Sequence, residues 1–203
     1  MDYQFSTSPP DRLVTFCSLV VSRHSAHWPP TEERLAKDFV AFSGFKSLFR
    51  FEDIQQFAES LGIRVFLSST LPRQLYGFNG CYEEQRTVVI CEEKGLLYST
   101  REHTLLHEIR EILEYIFCSL GCPTVEGKLP EVRAEEFATS ARVDASMEFL
   151  KDGMEHTRTI ESKWKRRTAY ALIGILGFGS AISCIMLPAL EDYIDRRGRA
   201  LRT

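Results

Sequence analysis

The sequence has little of what marks several common protein classes. Its 6 cysteines show no repeated paired spacing, so we expect reduced thiols and neither a disulfide scaffold nor a cysteine-built zinc site. No cleavable secretory signal is evident, because the apolar run of residues 13–22 is short and lacks a basic leader. The chain is 44% hydrophobic and 26% charged, which are the fractions of a globular protein.

The main body of the chain also lacks an excess of basic charge. Residues 163–203 contain 8 Lys+Arg and 3 Asp+Glu, a balance of +5, whereas residues 1–162 contain 17 and 25, a balance of −8, and the two sum to the −3 of the whole chain. An acidic body argues against general affinity for nucleic acid. The predicted helices over residues 31–42 and 53–61 could mimic a helix-turn-helix, but no basic recognition face accompanies them.

One long stretch without charge lies near the C-terminus. Residues 169–190 contain no charged side chain, and a helix of 22 residues is about 33 Å long against a hydrocarbon core of about 30 Å. Lys and Arg residues at 163–167, together with Trp164 and Tyr170, form a basic and aromatic border. The sequence therefore predicts a transmembrane helix over 169–190, preceded by a basic juxtamembrane collar (161–168) and followed by a charged tail (191–203).

This predicted helix implies a location and two partners. We expect a single-pass membrane protein with a bilayer as partner and its N-terminal domain in the cytoplasm, although the cationic residues on the two sides nearly balance. Small residues at four-residue spacing within 177–184 leave open a homodimer formed through the span.

The segment from residue 100 to 117 carries the most informative pattern. Its aliphatic and aromatic residues recur every three or four positions, which predicts a helix with one broad buried face. The opposite stripe is titratable, and such groups are costly to bury unless they are paired or bound to metal. The stripe consists of His103, His107, Glu111 and Glu114.

Within this helix, His107 and Glu111 are four residues apart and project from one face, while Glu108 lies beside the first of them. A second helix that begins near Pro130 can supply Glu131 as a third ligand. This is the layout of a helix-borne metallopeptidase site. Alternatives stay open: His107 and Glu108 could form ordinary surface pairs, and an acidic residue in a first helical turn is favoured by the helix dipole in any case. His103 could also pair with His107.

The order of these motifs resembles the ImmA/IrrE family of metallopeptidases. The matching stretches are residues 57–63 (Phe-Ala-Glu-Ser-Leu-Gly-Ile), a strand-like region, residues 104–108 (Thr-Leu-Leu-His-Glu) and residues 131–138, where Glu-x-x-Ala-x-x-Phe-Ala occurs. The resemblance covers roughly residues 30–150. Glu111 departs from the family pattern, which has a second histidine at this position.

The resemblance implies roles for the matching residues. His107 and Glu131 would be metal ligands, Glu108 the general base that activates metal-bound water, and Glu111 a ligand in place of the usual histidine. Zinc is the expected divalent cation, with manganese or iron as alternatives because carboxylate ligands make the shell richer in oxygen. The implied substrate is a peptide bond, in a regulatory, repressor-like protein. A catalytically silent binding or sensor module and a structural membrane adaptor are the rival interpretations.

Together these patterns predict an α+β protein. A metallopeptidase-like domain spans residues 1–160, with its core at 30–150. It begins with a helical part, and short strands at 63–67, 75–82 and 87–91 form a small antiparallel sheet beside the active-site helix pair. Pro72 and Asn79-Gly80 are the turn signals in this region.

Overall fold

The chain folds as an α+β structure of helices around a three-stranded sheet. The computed structural model describes residues 12–44, 50–71, 76–82, 85–92, 98–123, 127–158, 171–173 and 175–176. The elements follow in the order α1 (Arg12–His24), a 3-10 turn (Ser25–His27), α2 (Glu32–Ser43), α3 (Phe51–Ser60), β1 (Arg64–Ser68), β2 (Gly77–Tyr82), β3 (Gln85–Cys91), α4 (Tyr98–Ser119) and α5 (Pro130–Arg158).

The predicted N-terminal helices are confirmed, and their ends have local causes. Thr31 caps α2, since its hydroxyl accepts a hydrogen bond from the Arg34 backbone N–H at 3.4 Å. Helix α3 ends just before Gly62, whose φ of 81° lies in the left-handed region that only glycine adopts freely. The chain can therefore turn at once from α3 into β1.

Two kinds of contact fix the helices around α4. The ring of Phe39 on α2 packs edge-on against Phe57 at 5.1 Å and against Phe137 at 5.5 Å, which joins α2, α3 and α5 in one core. Arg110 on α4 donates two hydrogen bonds to Glu32 on α2, at 2.6 and 2.7 Å, and both side chains are buried. This bidentate pair sets the rotation of α4 about its own axis.

The sheet is mixed, so the prediction of an antiparallel sheet is wrong. The strand order is β1-β3-β2, with β1 parallel and β2 antiparallel to β3. The predicted turn at Asn79-Gly80 is also wrong, because these residues lie inside β2, opposite Val88 and Thr87. Tyr82 at the end of β2 instead pairs with Gln85 at the start of β3. Strand β1 lies on the other side of β3 and runs parallel to it.

One face of the sheet packs against α4. Val88 pairs with Val65 on one side and Asn79 on the other, so these three side chains share a face. A Cβ added at Gly77 would lie 2.8 Å from Thr104 Cγ2 and 3.1 Å from the Val89 carbonyl oxygen. The glycine thus lets β2 approach α4 closely, which places Asn79 beside the helix.

The predicted transmembrane helix needs a correction. Among the described residues, no helix is both long and apolar enough to cross a membrane. Helices α4 and α5 have the length, with 22 and 29 residues, but both carry charged side chains throughout. Of residues 169–190, only 171–173 and 175–176 are described. The bilayer partner, the membrane localisation and the homodimer depended on that helix, so they remain predictions.

Candidate functional site

Helix α4 presents the polar residues of the site on one side. His103, His107 and Glu111 follow at four-residue intervals, so their side chains project from successive turns of one face. Leu105 and Ile109 lie on the opposite side and are fully buried. Because the apolar side is held in the core, the histidine-bearing side must face α5 and β2.

Helix α5 packs against α4 and carries three small, buried residues. Ala134, Ala138 and Ala141 have no exposed surface, as expected where two helix backbones approach closely. Glu135 lies beside Ala134, and from there its carboxylate reaches the histidines of α4. The alanine pattern therefore positions a carboxylate of α5 against α4.

The imidazole of His107 lies between two carboxylates. Its Nε2 is 3.7 Å from Oε1 of Glu111, and its Nδ1 is 3.6 Å from Oε2 of Glu135. The other oxygen of Glu135, Oε1, is 2.9 Å from Nε2 of His103. The order of contacts is thus His103, Glu135, His107, Glu111, and each ring nitrogen of His107 faces a different carboxylate.

Strand β2 adds an amide to this group. The side-chain nitrogen of Asn79 donates to Oε2 of Glu108 and to Oε2 of Glu111, each at 2.6 Å. One amide group therefore holds two carboxylates of α4 near each other and orients both toward the sheet. Such a pair is unfavourable when both groups are ionised, because like charges at short range raise the pKa of one of them.

The pKa shifts follow from these contacts. Burial raises the pKa of Glu108 and the charge of Glu111 raises it further, against the lowering effect of the Asn79 hydrogen bond. Burial alone would lower the pKa of His107, but the Glu135 contact and the nearby carboxylate charges outweigh it and raise that pKa. A carboxyl and an imidazole with raised pKa values, side by side in one site, are typical of acid–base chemistry.

Glu135 is shifted in the opposite direction. Burial by itself would raise the pKa of Glu135, but its contacts with His103 and His107 lower it to about 2. The side chain keeps 48% of its surface exposed, so solvent screens part of this interaction. Glu135 is thus an anion throughout the physiological range and imposes its charge on both imidazoles.

The structure brings three of the four predicted site residues together. Glu108 and Glu111 both accept hydrogen bonds from the Asn79 amide, and His107 lies 3.7 Å from Glu111. Glu131 lies in the first turn of α5, is exposed, and forms no ion pair or hydrogen bond with any residue that the structure describes. Its role as third ligand stays a prediction.

The side chains at the site are of the types that bind a divalent cation, but too few of them converge on one point. Imidazole nitrogen and carboxylate oxygen are zinc ligands, and His107 Nε2 and Glu111 Oε1 face each other 3.7 Å apart. Within the described ranges, however, no three His, Cys, Asp or Glu side chains are placed to hold one ion. The contacts therefore supply two ligands, whereas catalytic zinc sites commonly use three from the protein.

Sequence reasoning missed two residues of the site. Glu135 had a signal, since it lies one helical turn after Glu131 on the same side of α5. Asn79 had none that pointed to a site, because Asn-Gly is read as a turn wherever it occurs between strands. His103 was weighed as a partner of His107, and the structure joins the two through Glu135.

Comparisons with known proteins add little to this description. Neither a protein-family model nor a curated protein sequence matches the chain. A solved structure titled "Mycobacterium tuberculosis transcriptional regulator" is similar over 84% of this chain, with 11% sequence identity and a TM-score of 0.38. This chain spans about half of that one, 52% of its length. A structural similarity with so low a TM-score and sequence identity supports no conclusion about fold or function.

Proposed function

We propose that the chain is a metal-dependent endopeptidase, which hydrolyses a peptide bond in an extended protein segment bound along the outer edge of β2, beside α4. The observation that carries the proposal is the double hydrogen bond from Asn79 to Glu108 and Glu111, each at 2.6 Å. It places a strand that can pair with a peptide directly beside a carboxyl group whose pKa is raised. The resemblance to ImmA/IrrE metallopeptidases supports the same activity.

His107 through Nε2 and Glu111 through Oε1 would hold the cation. When bound there, a divalent cation would polarise the peptide carbonyl and lower the pKa of a bound water. Zinc is the expected ion, and manganese or iron are the alternatives, because a carboxylate at residue 111 makes the ligand set richer in oxygen than the two-histidine pattern.

A side chain of the protein would accept and return the proton during peptide hydrolysis. Glu108 is only 7% exposed, and its raised pKa brings it closer to neutrality, where a general base is most efficient. Asn79 holds this carboxylate in one orientation, so the base does not have to be ordered when the substrate binds. We therefore assign Glu108 as the group that accepts the proton and later returns it to the leaving amine.

The peptide would bind along β2. This strand is an outer strand of the sheet, so it can add a further strand by backbone hydrogen bonding. Phe78 and Tyr82 leave 43% and 61% of their surfaces exposed on this strand, which offers apolar contacts to substrate side chains. A peptide in this position passes next to Asn79 and hence next to Glu108.

A second candidate is a catalytically silent peptide-binding module. The observation that favours it is the position of Glu131, which is exposed and leaves His107 and Glu111 without a third ligand among the described residues. Such a module would keep the β2 edge but cleave nothing. Metal binding and cleavage separate the two candidates.

The test uses the full chain with zinc or manganese and a library of unstructured peptides, analysed by mass spectrometry. We expect cleavage by the wild type and at least a hundredfold loss in Glu108→Gln, which removes the base. Zinc and peptide binding should persist in this variant. Glu136→Gln is the matched control, since Glu136 pairs with the exposed Lys128 at 2.7 Å and should not affect cleavage. Peptide binding without cleavage in the wild type would instead assign the silent module.

A further inference from the structure

The carboxylate of Glu135 has no part in the proposed chemistry, yet it lies against both histidines of the site. Its Oε2 is 3.6 Å from Nδ1 of His107, while Oε1 is 2.9 Å from Nε2 of His103. The two oxygens of one carboxylate are thus directed at two imidazoles. A group in this position can determine where the proton of each ring resides.

His103 gives the second observation. Its side chain is about nine-tenths buried, and neither ring nitrogen has a hydrogen-bond partner of good geometry among the described residues. Burial of an imidazole whose nitrogens lack hydrogen bonds destabilises the folded state, so the presence of His103 here needs an explanation other than stability. The 2.9 Å contact between Nε2 of His103 and Oε1 of Glu135 supplies one, because it restricts the carboxylate to the position beside His107.

We propose that Glu135 is a positioning residue: it accepts the Nδ1 proton of His107, is held in place by His103, and so leaves Nε2 of His107 unprotonated and directed at Glu111. Metal-binding histidines characteristically donate their second N–H to a carboxylate or carbonyl, which fixes the tautomer and the ring orientation. The distance of 3.6 Å exceeds hydrogen-bond length, so the proposal requires this contact to shorten in the metal-free protein itself.

This inference rests on the proposed function, since it assigns Nε2 of His107 to the cation, but it makes a claim about the metal-free protein as well. Without metal, the tautomer of His107 should already be the one with the proton on Nδ1. The test can therefore succeed or fail independently of whether the chain cleaves peptides.

The experiment is nitrogen-15 NMR of the imidazole rings in the full chain, treated with a chelator and studied near pH 9, well above the ordinary imidazole pKa of about 6.5. The signals of His107 are assigned by their absence in His107→Gln. We expect an Nδ1-protonated ring in the wild type. A ring protonated at Nε2 in the wild type would overturn the proposal without any variant.

Two substitutions at residue 135 separate hydrogen bonding from packing. Glu135→Met keeps the length and helix propensity of the side chain but has no strong acceptor, so the Nδ1–H signal of His107 should be lost. Glu135→Gln keeps an acceptor oxygen and should restore the signal. Glu136→Met, one residue further on the same helix, should leave it unchanged. Retention of the wild-type tautomer in Glu135→Met would contradict the positioning role.

Zinc binding distinguishes a positioning residue from a ligand. A positioning carboxylate changes metal affinity by roughly 10–100-fold when it is removed, whereas the site itself persists. We expect Glu135→Met to bind zinc with a loss within that range, and Glu135→Gln to bind it more tightly than Glu135→Met. Complete loss of zinc in Glu135→Gln, with the His107 tautomer unchanged, would make Glu135 a direct ligand and overturn the inference.

Discussion

The side-chain nitrogen of Asn79 on β2 lies 2.6 Å from Oε2 of Glu108 on α4, and this hydrogen bond joins the sheet to the site. A second bond of the same length reaches Glu111. The position of β2 against α4 therefore determines the distance between the base and its neighbouring carboxylate. Substitutions that move this strand should disturb the site even though they touch none of its residues.

Gly77 tests this dependence. In Gly77→Ala the new Cβ would lie 2.8 Å from Thr104 Cγ2 and 3.1 Å from a backbone oxygen, so β2 must shift away from α4. We expect a loss of roughly 1–3 kcal/mol in the free energy of unfolding, as for other overpacked sites, measured by urea denaturation. In Gly80→Ala, on the same strand, the Cβ meets nothing within 4 Å. Equal destabilisation by the two variants would show that the close approach at Gly77 is unimportant.

The buried pair of Arg110 and Glu32 should stabilise the helix packing only as a pair. Arg110→Met leaves Glu32 buried without its cation, and such a broken pair typically costs about 3–5 kcal/mol. Lys128→Met breaks the exposed pair with Glu136, for which we expect less than about 1 kcal/mol. Chemical denaturation of both variants measures the difference. The account of α4 packing is wrong if Arg110→Met is as mild as Lys128→Met.

The pKa of Glu102 predicts how the free energy of unfolding depends on pH. Burial, opposed by Arg142 and assisted by the charges of Glu52 and Asp53, raises its pKa from 4.5 to about 7. The folded state therefore binds the Glu102 proton more tightly than the unfolded state. The stabilising contribution of this group to the free energy of unfolding is complete below pH 4.5 and is lost as the pH rises to about 7.

Glu102→Gln removes the group that must ionise. At about pH 8 the variant should be more stable than the wild type, by about 3 kcal/mol at most, and the difference should vanish near pH 4. Thermal denaturation of both proteins across this range provides the measurement. A variant that is less stable than the wild type at the higher pH would show that Glu102 is ionised without penalty.

The helices could be predicted from the sequence, because their apolar spacing and end signals are local. Thr31 and Gly62 mark the ends of α2 and α3 in the sequence as they do in the structure. The histidine-bearing face of α4 was predictable for the same reason, since it is the complement of a strong apolar face.

What the sequence could not supply depends on contacts between distant segments. Strand β1 lies beside β3 and contacts α3, and no turn residue encodes this position, so the mixed sheet could not be predicted locally. Asn79 has the residue type of a turn, and only the close approach of Gly77 to Thr104 makes it part of the site. The choice between Glu131 and Glu135 depends on the position of α5 along its own axis relative to α4, because the two residues lie one turn apart on the same face.

The prediction of a span over residues 169–190 rested on the absence of charge, sufficient length and a basic and aromatic border. Absence of charge and sufficient length predict a span, but they do not describe how the segment packs. In the described part of the chain, α4 and α5 are long enough to cross a membrane, but both carry the charged residues of the site.

The most direct test of the central claim is a calorimetric titration of the full, chelator-treated chain with zinc. We predict one high-affinity site in the wild type, at least a hundredfold weaker binding in His107→Ala and in Glu111→Ala, and unchanged binding in Glu136→Ala. Absence of zinc binding in the wild type, or equal affinity in all four proteins, would contradict the proposal that His107 and Glu111 hold the catalytic cation.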